Sequence, residues 1–143
     1  MGLFDAFDAS GSALSAERLR MDVTAENLAN AQSTRTANGQ GPYRRKEVVL
    51  QEAGAGTQAS FADSLQAARG VRVAGIVEDP TPPRRVYDPG HPDADAQGYV
   101  TMPNVNTVTE MTDLIGASRA YEANVTAMQT TKAMFARTLD LLK

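Results

Sequence analysis

The 143-residue chain has no cysteine, no tryptophan, one histidine and only 6% aromatic residues. Without cysteine there is no disulfide, no thiolate metal site and no cysteine nucleophile. Zero cysteine suits a reducing and an oxidising compartment alike, so it does not choose between them. So few aromatics predict a small central core. No apolar run approaches the roughly 20 residues that a membrane helix needs. The start, Met1-Gly2-Leu3-Phe4-Asp5-Ala6-Phe7-Asp8, lacks the positive charge and continuous apolar stretch of a secretory signal. General secretion is therefore not expected, while an export route that leaves the N-terminus uncleaved stays open. A net charge of −3 offers no basic face for nucleic acid. The run Arg44-Arg45-Lys46 is offset at once by Glu47 and reads as a solvated strand edge. With 42% hydrophobic and 22% charged residues, the composition is that of a folded domain of ordinary size.

The two ends carry the strongest pattern. From Thr107 onward no proline and a single glycine, Gly116, interrupt the chain to its end. Thr107 and Glu110 have the spacing of a capping box, in which a hydroxyl caps the first turn and a carboxylate reaches back to the cap N–H. Met111, Leu114, Ser118, Tyr121, Val125, Met128, Lys132, Phe135, Leu139 and Leu142 follow in alternating steps of four and three, and eight of these ten are apolar or aromatic. That is a heptad repeat, the pattern of a helix packed along its length on other helices. Such a helix is roughly 50 Å long at 1.5 Å per residue, more than a domain of this size needs. It is either a long core helix or an assembly helix buried when several chains meet. Leu3 to Asn30 predicts a second long helix, with Phe4, Phe7, Gly11, Leu14, Arg18, Met21, Ala25 and Leu28 in the same spacing. Gly11 and Arg18 thin this seam, Ser10-Gly11-Ser12 is a candidate flexible point, and Asn30 a candidate helix stop.

The middle divides differently. Ser33 to Pro42 is a polar linker. Strands are predicted at Tyr43–Leu50 and Val71–Val77, a short extended piece at Arg84–Tyr87, and a short strand at Gly98–Met102. Phe61 to Arg69 could form two turns of helix, and Asp88 to Gly98 a turn-rich loop. The expected organisation is an N-terminal helix over 1–32, a small β-rich region over 33–103, and a C-terminal helix over 104–143. A middle of about 70 residues is close to the lower limit for a self-sufficient core. Helices owe most of their stability to packing, so terminal helices without a large internal partner should order on assembly.

Few residues suggest chemistry. Gly54-Ala55-Gly56-Thr57-Gln58-Ala59 matches a dinucleotide-binding loop with alanine in the last place. The polar Gln51 and Glu52 stand where a buried strand should run, however, and no room is left for a doubly wound sheet. Asp93, Asp95, Gln97 and Gly98 imitate the opening of a calcium loop, but the closing glutamate position is Asn104. His91, between Gly90 and Pro92, reads as a turn residue, and no serine stands in a nucleophile elbow for it to activate. Glu110, Asp113 and Glu122 read as the charged face and N-terminal dipole partners of a helix. No catalytic residue, metal ligand, cofactor or small-molecule substrate is assigned.

Several segments are also similar to a known family. Ala25-Glu26-Asn27-Leu28-Ala29-Asn30-Ala31 resembles the N-terminal signature of bacterial flagellar rod and hook proteins. Met102-Pro103-Asn104-Val105-Asn106 and Ser118-Arg119-Ala120-Tyr121-Glu122-Ala123-Asn124 resemble their C-terminal signature. Gly41-Pro42-Tyr43-Arg44-Arg45-Lys46 and Val86-Tyr87-Asp88-Pro89-Gly90-His91-Pro92-Asp93-Ala94-Asp95 are similar to proximal-rod members of the flagellar basal-body rod protein family. The resemblance implies an α+β fold whose long N- and C-terminal helices pair as a coiled coil around a small β-rich middle region. It implies a non-enzymatic structural subunit of the rod, the shaft across the periplasm, exported by the flagellar type III apparatus without signal cleavage. It implies partners too: other rod subunits, further copies in a helical assembly, and the rod base at the inner-membrane ring. The assembly interface is then expected at Phe4, Phe7, Leu14, Met21, Asn27, Leu28, Asn30, Met111, Leu114, Tyr121, Asn124, Val125, Met128, Phe135, Leu139 and Leu142. Asn27, Asn30, Asn104 and Asn124 are expected to cap helix ends or to bond across helices.

Overall fold

The computed structural model of the chain describes residues 3–36, 41–53 and 70–140, with side chains from Asp5 onward. Helix α1 spans Leu3–Ala29 and helix α2 spans Thr107–Asp140. Between them lie β1 (Lys46–Glu52), β2 (Val71–Glu78), β3 (Arg84–Tyr87) and β4 (Tyr99–Met102). β1 pairs antiparallel with β2, from Lys46 opposite Glu78 to Glu52 opposite Val71, with a bulge at Val49/Leu50. β3 pairs antiparallel with β4, from Arg84 opposite Met102 to Tyr87 opposite Tyr99. The expected α+β layout of two long helices around a small antiparallel middle is the observed one. The Gly54–Ala59 motif and the helix anticipated over Phe61–Arg69 lie outside the described residues.

α1 runs unbroken through Ser10-Gly11-Ser12, where a flexible point was expected. Ser12 and Ser15 turn their hydroxyls back onto the Ala9 and Gly11 carbonyls of their own helix. Ser12 also accepts the Val71 N–H at 3.0 Å, which fastens the start of β2 to α1. A methyl group on Gly70 would lie 2.6 Å from that hydroxyl, so a larger residue there would displace the Ser12 side chain from its bond to Val71. α1 stops at Asn30 without a left-handed residue. The backbone N–H and side-chain amide of Asn30 both donate to the Glu26 carbonyl, and its Oδ1 accepts the Ser33 hydroxyl.

The helices pack antiparallel, the end of α1 meeting the start of α2. Their contact overlaps the one expected from counting large apolar residues, but its most buried positions are smaller or polar residues. On α2 the buried and half-buried positions are Glu110, Leu114, Ala117, Ser118, Ala120, Tyr121, Asn124, Val125, Met128 and Thr131, of which Glu110 and Ala117 are fully buried. They include Leu114, Ser118, Tyr121, Val125 and Met128 of the expected seam, with Glu110, Ala117, Asn124 and Thr131 each one residue before a seam position. On α1 the fully buried residues are Ala16, Val23, Thr24 and Asn27, whereas Arg18 and Ala25 of the expected seam are exposed. Small residues such as Ala16 and Ala117 let two helix backbones approach closely, so the seam forms where the side chains are shortest. Larger side chains are left on its flanks. Val105, in the segment entering α2, closes a small cluster with Ala31 and Tyr43. Val100 of β4 is completely buried, worth about 1.5–3 kcal/mol for a valine-sized side chain.

Candidate functional site

The densest interaction site is a polar junction where α1 ends, β1 begins and α2 starts. Asn27 and Glu110 stand on facing helices, and each is only 1% exposed. The Asn27 amide donates to Glu110 Oε2 at 3.0 Å and to the Lys46 carbonyl at 2.8 Å. Its Oδ1 accepts the Tyr43 hydroxyl and the Lys46 N–H, each at 2.9 Å. One side chain thereby uses both donors and both lone pairs to hold three elements together. Glu110 Oε1 accepts from Arg45 Nε at 2.5 Å. The Arg45 guanidinium also pairs with Glu47, with Asp79 at 3.7 Å and with Asp113 at 3.5 Å.

These contacts set the charge states. Burial opposes the Arg45 charge, but the hydrogen bond and charge of Glu110, with Asp79 and Asp113, outweigh it and raise its pKa further. The Tyr43 phenol is pushed up to about 12, first by burial and then by the charges of Glu26, Glu110 and Glu78. Lys46 places its ammonium 5.5 Å from the Tyr43 ring centre and 2.6 Å from Glu26. The junction lines one end of an open groove of about 550 Å³, with α1 at its base and β1 and the first turns of α2 as its walls.

Two expectations change here. Arg45 is not part of a solvated edge, because its side chain is turned inward onto Glu110. Glu110 does not reach back to a cap, and Thr107 is not the cap residue. Asn106 caps α2 instead, accepting the Val108 N–H at 3.0 Å and the Thr109 N–H at 3.4 Å. This frees the Glu110 side chain, one residue past the capping-box position, to face α1. Asn104, expected to cap a helix end or bond across helices, bonds to the middle region, accepting the Arg45 N–H at 2.9 Å and donating to the Thr81 carbonyl at 3.2 Å. Asn124 instead donates to Ala120 of its own helix.

The remaining expected interface residues are dispersed. Phe7, Leu14, Met21, Leu28, Asn30, Leu114, Tyr121, Asn124, Val125 and Met128 are half-buried along the helix pair, while Met111, Phe135 and Leu139 are exposed. Leu142 and the Phe4 side chain lie outside the described residues. Sequence reasoning missed Tyr43, Arg45 and Glu110. The one available signal was the place of Glu110 directly before Met111 at the head of the apolar seam, which can turn it toward the facing helix.

The Asp88–Gly98 segment is a turn whose carboxylates are occupied. Asp95 Oδ1 accepts the Gln97 and Tyr99 N–H groups at 2.9 Å, and its Oδ2 accepts from Arg85 at 2.6 Å. Asp93 accepts from Thr34 at 2.6 Å and from Arg35, tying the loop to the exit of α1. The backbone N–H of Tyr99, then that of Gln97 and the Arg85 side chain, hold the Asp95 carboxyl below its ordinary range. His91 Nδ1 accepts the Asp93 N–H at 3.0 Å. Among the described residues, no group of three or more histidine, aspartate or glutamate side chains is arranged to hold a metal ion.

Comparison with known proteins ties these same segments together. Residues 7–35, α1 and its exit, match the family described as flagella basal body rod protein. Residues 96–141, from β4 through α2, match the C-terminal family of flagellar basal body rod FlgEFG proteins. Over 141 residues the chain is 50% identical to the flagellar basal-body rod protein FlgC of Yersinia enterocolitica, covering 99% of this chain and 98% of that protein. It is 45% identical over 150 residues to the Bacillus subtilis FlgC, covering the whole of both. It is 43% identical over 152 residues to that of Borreliella burgdorferi, covering 100% and 99%.

Proposed function

The chain belongs to the flagellar basal-body rod protein family as a structural subunit of the rod, and on that premise we propose that it polymerises through its two terminal helices. The segments 1–32 and 104–143 act as assembly helices, pairing as a coiled coil toward the inside of the shaft, and 33–103 faces outward. The subunit works in the periplasmic part of the basal body, after export by the flagellar type III apparatus without signal cleavage. It meets other rod subunits, further copies of itself and the rod base at the inner-membrane ring. It acts as a building element and not as an enzyme, which fits a polar junction whose groups are spent on one another.

The observation that carries this reading is the placement of apolar side chains on α2. Counting back residue for residue from the Asn27–Glu110 contact, Leu3 comes opposite Met134. Met134, level with the start of α1, and Leu139, in the last described turn of α2, stand about half exposed. A helix whose last turns carry half-exposed apolar side chains is suited to be covered by another chain. Leu139→Asp places a charge on that end without touching the junction. The variant should keep the far-ultraviolet circular dichroism of the parent and fail to enter isolated basal bodies. Normal incorporation of Leu139→Asp would reject assembly through this end of the helix.

A further inference from the structure

The β1–β2 ladder fixes which way each backbone group of β1 points. The Asp79 N–H donates to the Arg45 carbonyl at one end and the Ala53 N–H to the Gly70 carbonyl at the other, each at 2.8 Å. In an antiparallel pair only alternate residues bond to the facing strand. Arg45, Glu47, Val49, Gln51 and Ala53 therefore face β2, while Lys46, Val48 and Leu50 turn their N–H and C=O to the opposite edge. At Lys46 that edge is already met. The Asn27 amide donates to the Lys46 carbonyl at 2.8 Å, and Asn27 Oδ1 accepts the Lys46 N–H at 2.9 Å. This carboxamide stands where the peptide group of a third strand would stand. It also donates to Glu110 of α2 at 3.0 Å, so the gap between β1 and α2 is one amide wide there. Farther along β1 the gap opens into the groove that Val48 lines. Among the described residues nothing meets the outward N–H and C=O of Val48 and Leu50.

The other surfaces of the groove suit one extended chain. Thr112, Asp113, Gly116 and Ala117 of α2 form the wall opposite β1, and Gly116 has open space where a side chain would stand. From Glu110 to Ala117 this wall is about 10 Å long, the length of about three residues of strand. β1 runs from Asn27 back along α1, since Val71, opposite Glu52, is bonded to Ser12. Val23 and Arg20 of the floor lie about 6 and 10 Å along α1 from Asn27. Val48 and Leu50 lie about 7 and 13 Å along β1 from Lys46. Val23 is thus level with Val48, and Arg20 lies between the levels of Val48 and Leu50. The Arg20 side chain is 42% exposed and has Glu17 only at 3.4 Å.

We propose that a lone extended segment of a different protein enters this groove and adds to β1 as a third strand. Only a main chain at strand spacing satisfies a row of outward N–H and C=O groups. The segment runs antiparallel to β1, the more stable pairing. An apolar side chain opposite Val48 lies over Val23 and Ala117, and a carboxylate two residues earlier meets Arg20. A second copy of this chain cannot supply the segment from its described strands. Each of these belongs to a two-stranded ribbon, and the second strand of the ribbon would fall where α2 stands. The inference does not depend on how copies of the chain assemble.

The probe is the peptide acetyl-Thr-Asp-Thr-Val-Thr-amide, titrated into the isotope-labelled full chain and followed by amide NMR shifts. Saturable shifts at Val48 and Leu50 are expected. The same peptide built with N-methylvaline lacks the donor for the Val48 carbonyl and should bind roughly tenfold more weakly. This comparison leaves the protein untouched. No shift at Val48 with millimolar probe, or equal binding of the methylated peptide, overturns the added strand. Val48→Pro removes the outward donor without breaking a bond to β2. It should abolish binding while the Glu47 and Val49 amides keep their protection from exchange, and unchanged binding would overturn the edge contact. Arg20→Gln should weaken binding several-fold, and equal binding would overturn the carboxylate contact. Shifts at Val48 that grow with the concentration of the chain alone would assign the edge to a second copy and overturn the proposed partner.

Discussion

Replacing Asn27 by alanine removes one carboxamide and strands four polar groups: the Tyr43 hydroxyl, the Lys46 N–H and C=O, and Glu110 Oε2. An unsatisfied buried donor or acceptor costs about 1–3 kcal/mol; with the Lys46 groups at the mouth of the groove taking the low end, the expected loss is about 4 kcal/mol. That is a large share of the roughly 5–15 kcal/mol that holds a domain folded. Urea unfolding of the full chain, followed by circular dichroism, measures it. Asn30→Ala is the control, because that amide serves only its own helix end and Ser33, partly in solvent. It should cost below about 1 kcal/mol. Asn27→Asp keeps the acceptor for Tyr43 and Lys46 but sets a second carboxylate against Glu110. It should be destabilised at neutral pH and recover part of the loss in acid, as one carboxylate takes a proton. An Asn27→Ala variant no less stable than Asn30→Ala would refute the junction as the lock between the helices and the hairpin.

Two further outcomes follow from single residues. The Tyr43 phenol has its pKa raised from 10.0 to about 12 in the folded chain, so folding favours the neutral form. Its contribution is complete below pH 10 and is lost as the pH rises through about 12, a decline of about 2–3 kcal/mol that Tyr43→Phe should abolish in urea midpoints taken against pH. Gly98 adopts φ +83°, and a methyl group there would lie 2.9 Å from Tyr87 Cε2. Gly98→Ala should therefore cost about 1–3 kcal/mol and speed amide exchange at Val86 and Val100, whereas Gly75→Ala, with open space around it, should not.

The elements were largely legible, because each rests on local chemistry. Proline-free, alanine-rich ends give helices, and β-branched runs bounded by glycine and proline give the strands. Boundaries moved where a side chain was drafted elsewhere. β1 begins at Lys46 and not at Tyr43, because Tyr43 and Arg45 turn to the helices. The cap moved from Thr107 to Asn106, since asparagine reaches the second and third N–H groups better than the residue after it.

The sequence by itself determined two long heptad-patterned helices, a small strand-rich middle and membership of the rod family, because periodicity and signature segments are properties of the linear chain. Only the tertiary structure decided which heptad positions are buried. Helices approach along their smallest side chains, so Ala16 and Ala117 took the interior and Met111 and Leu139 were left outside. It also decided that Asn27, Arg45 and Glu110 form one site. They lie far apart along the chain and carry no shared pattern, and only packing brings together groups that must satisfy one another once water is excluded.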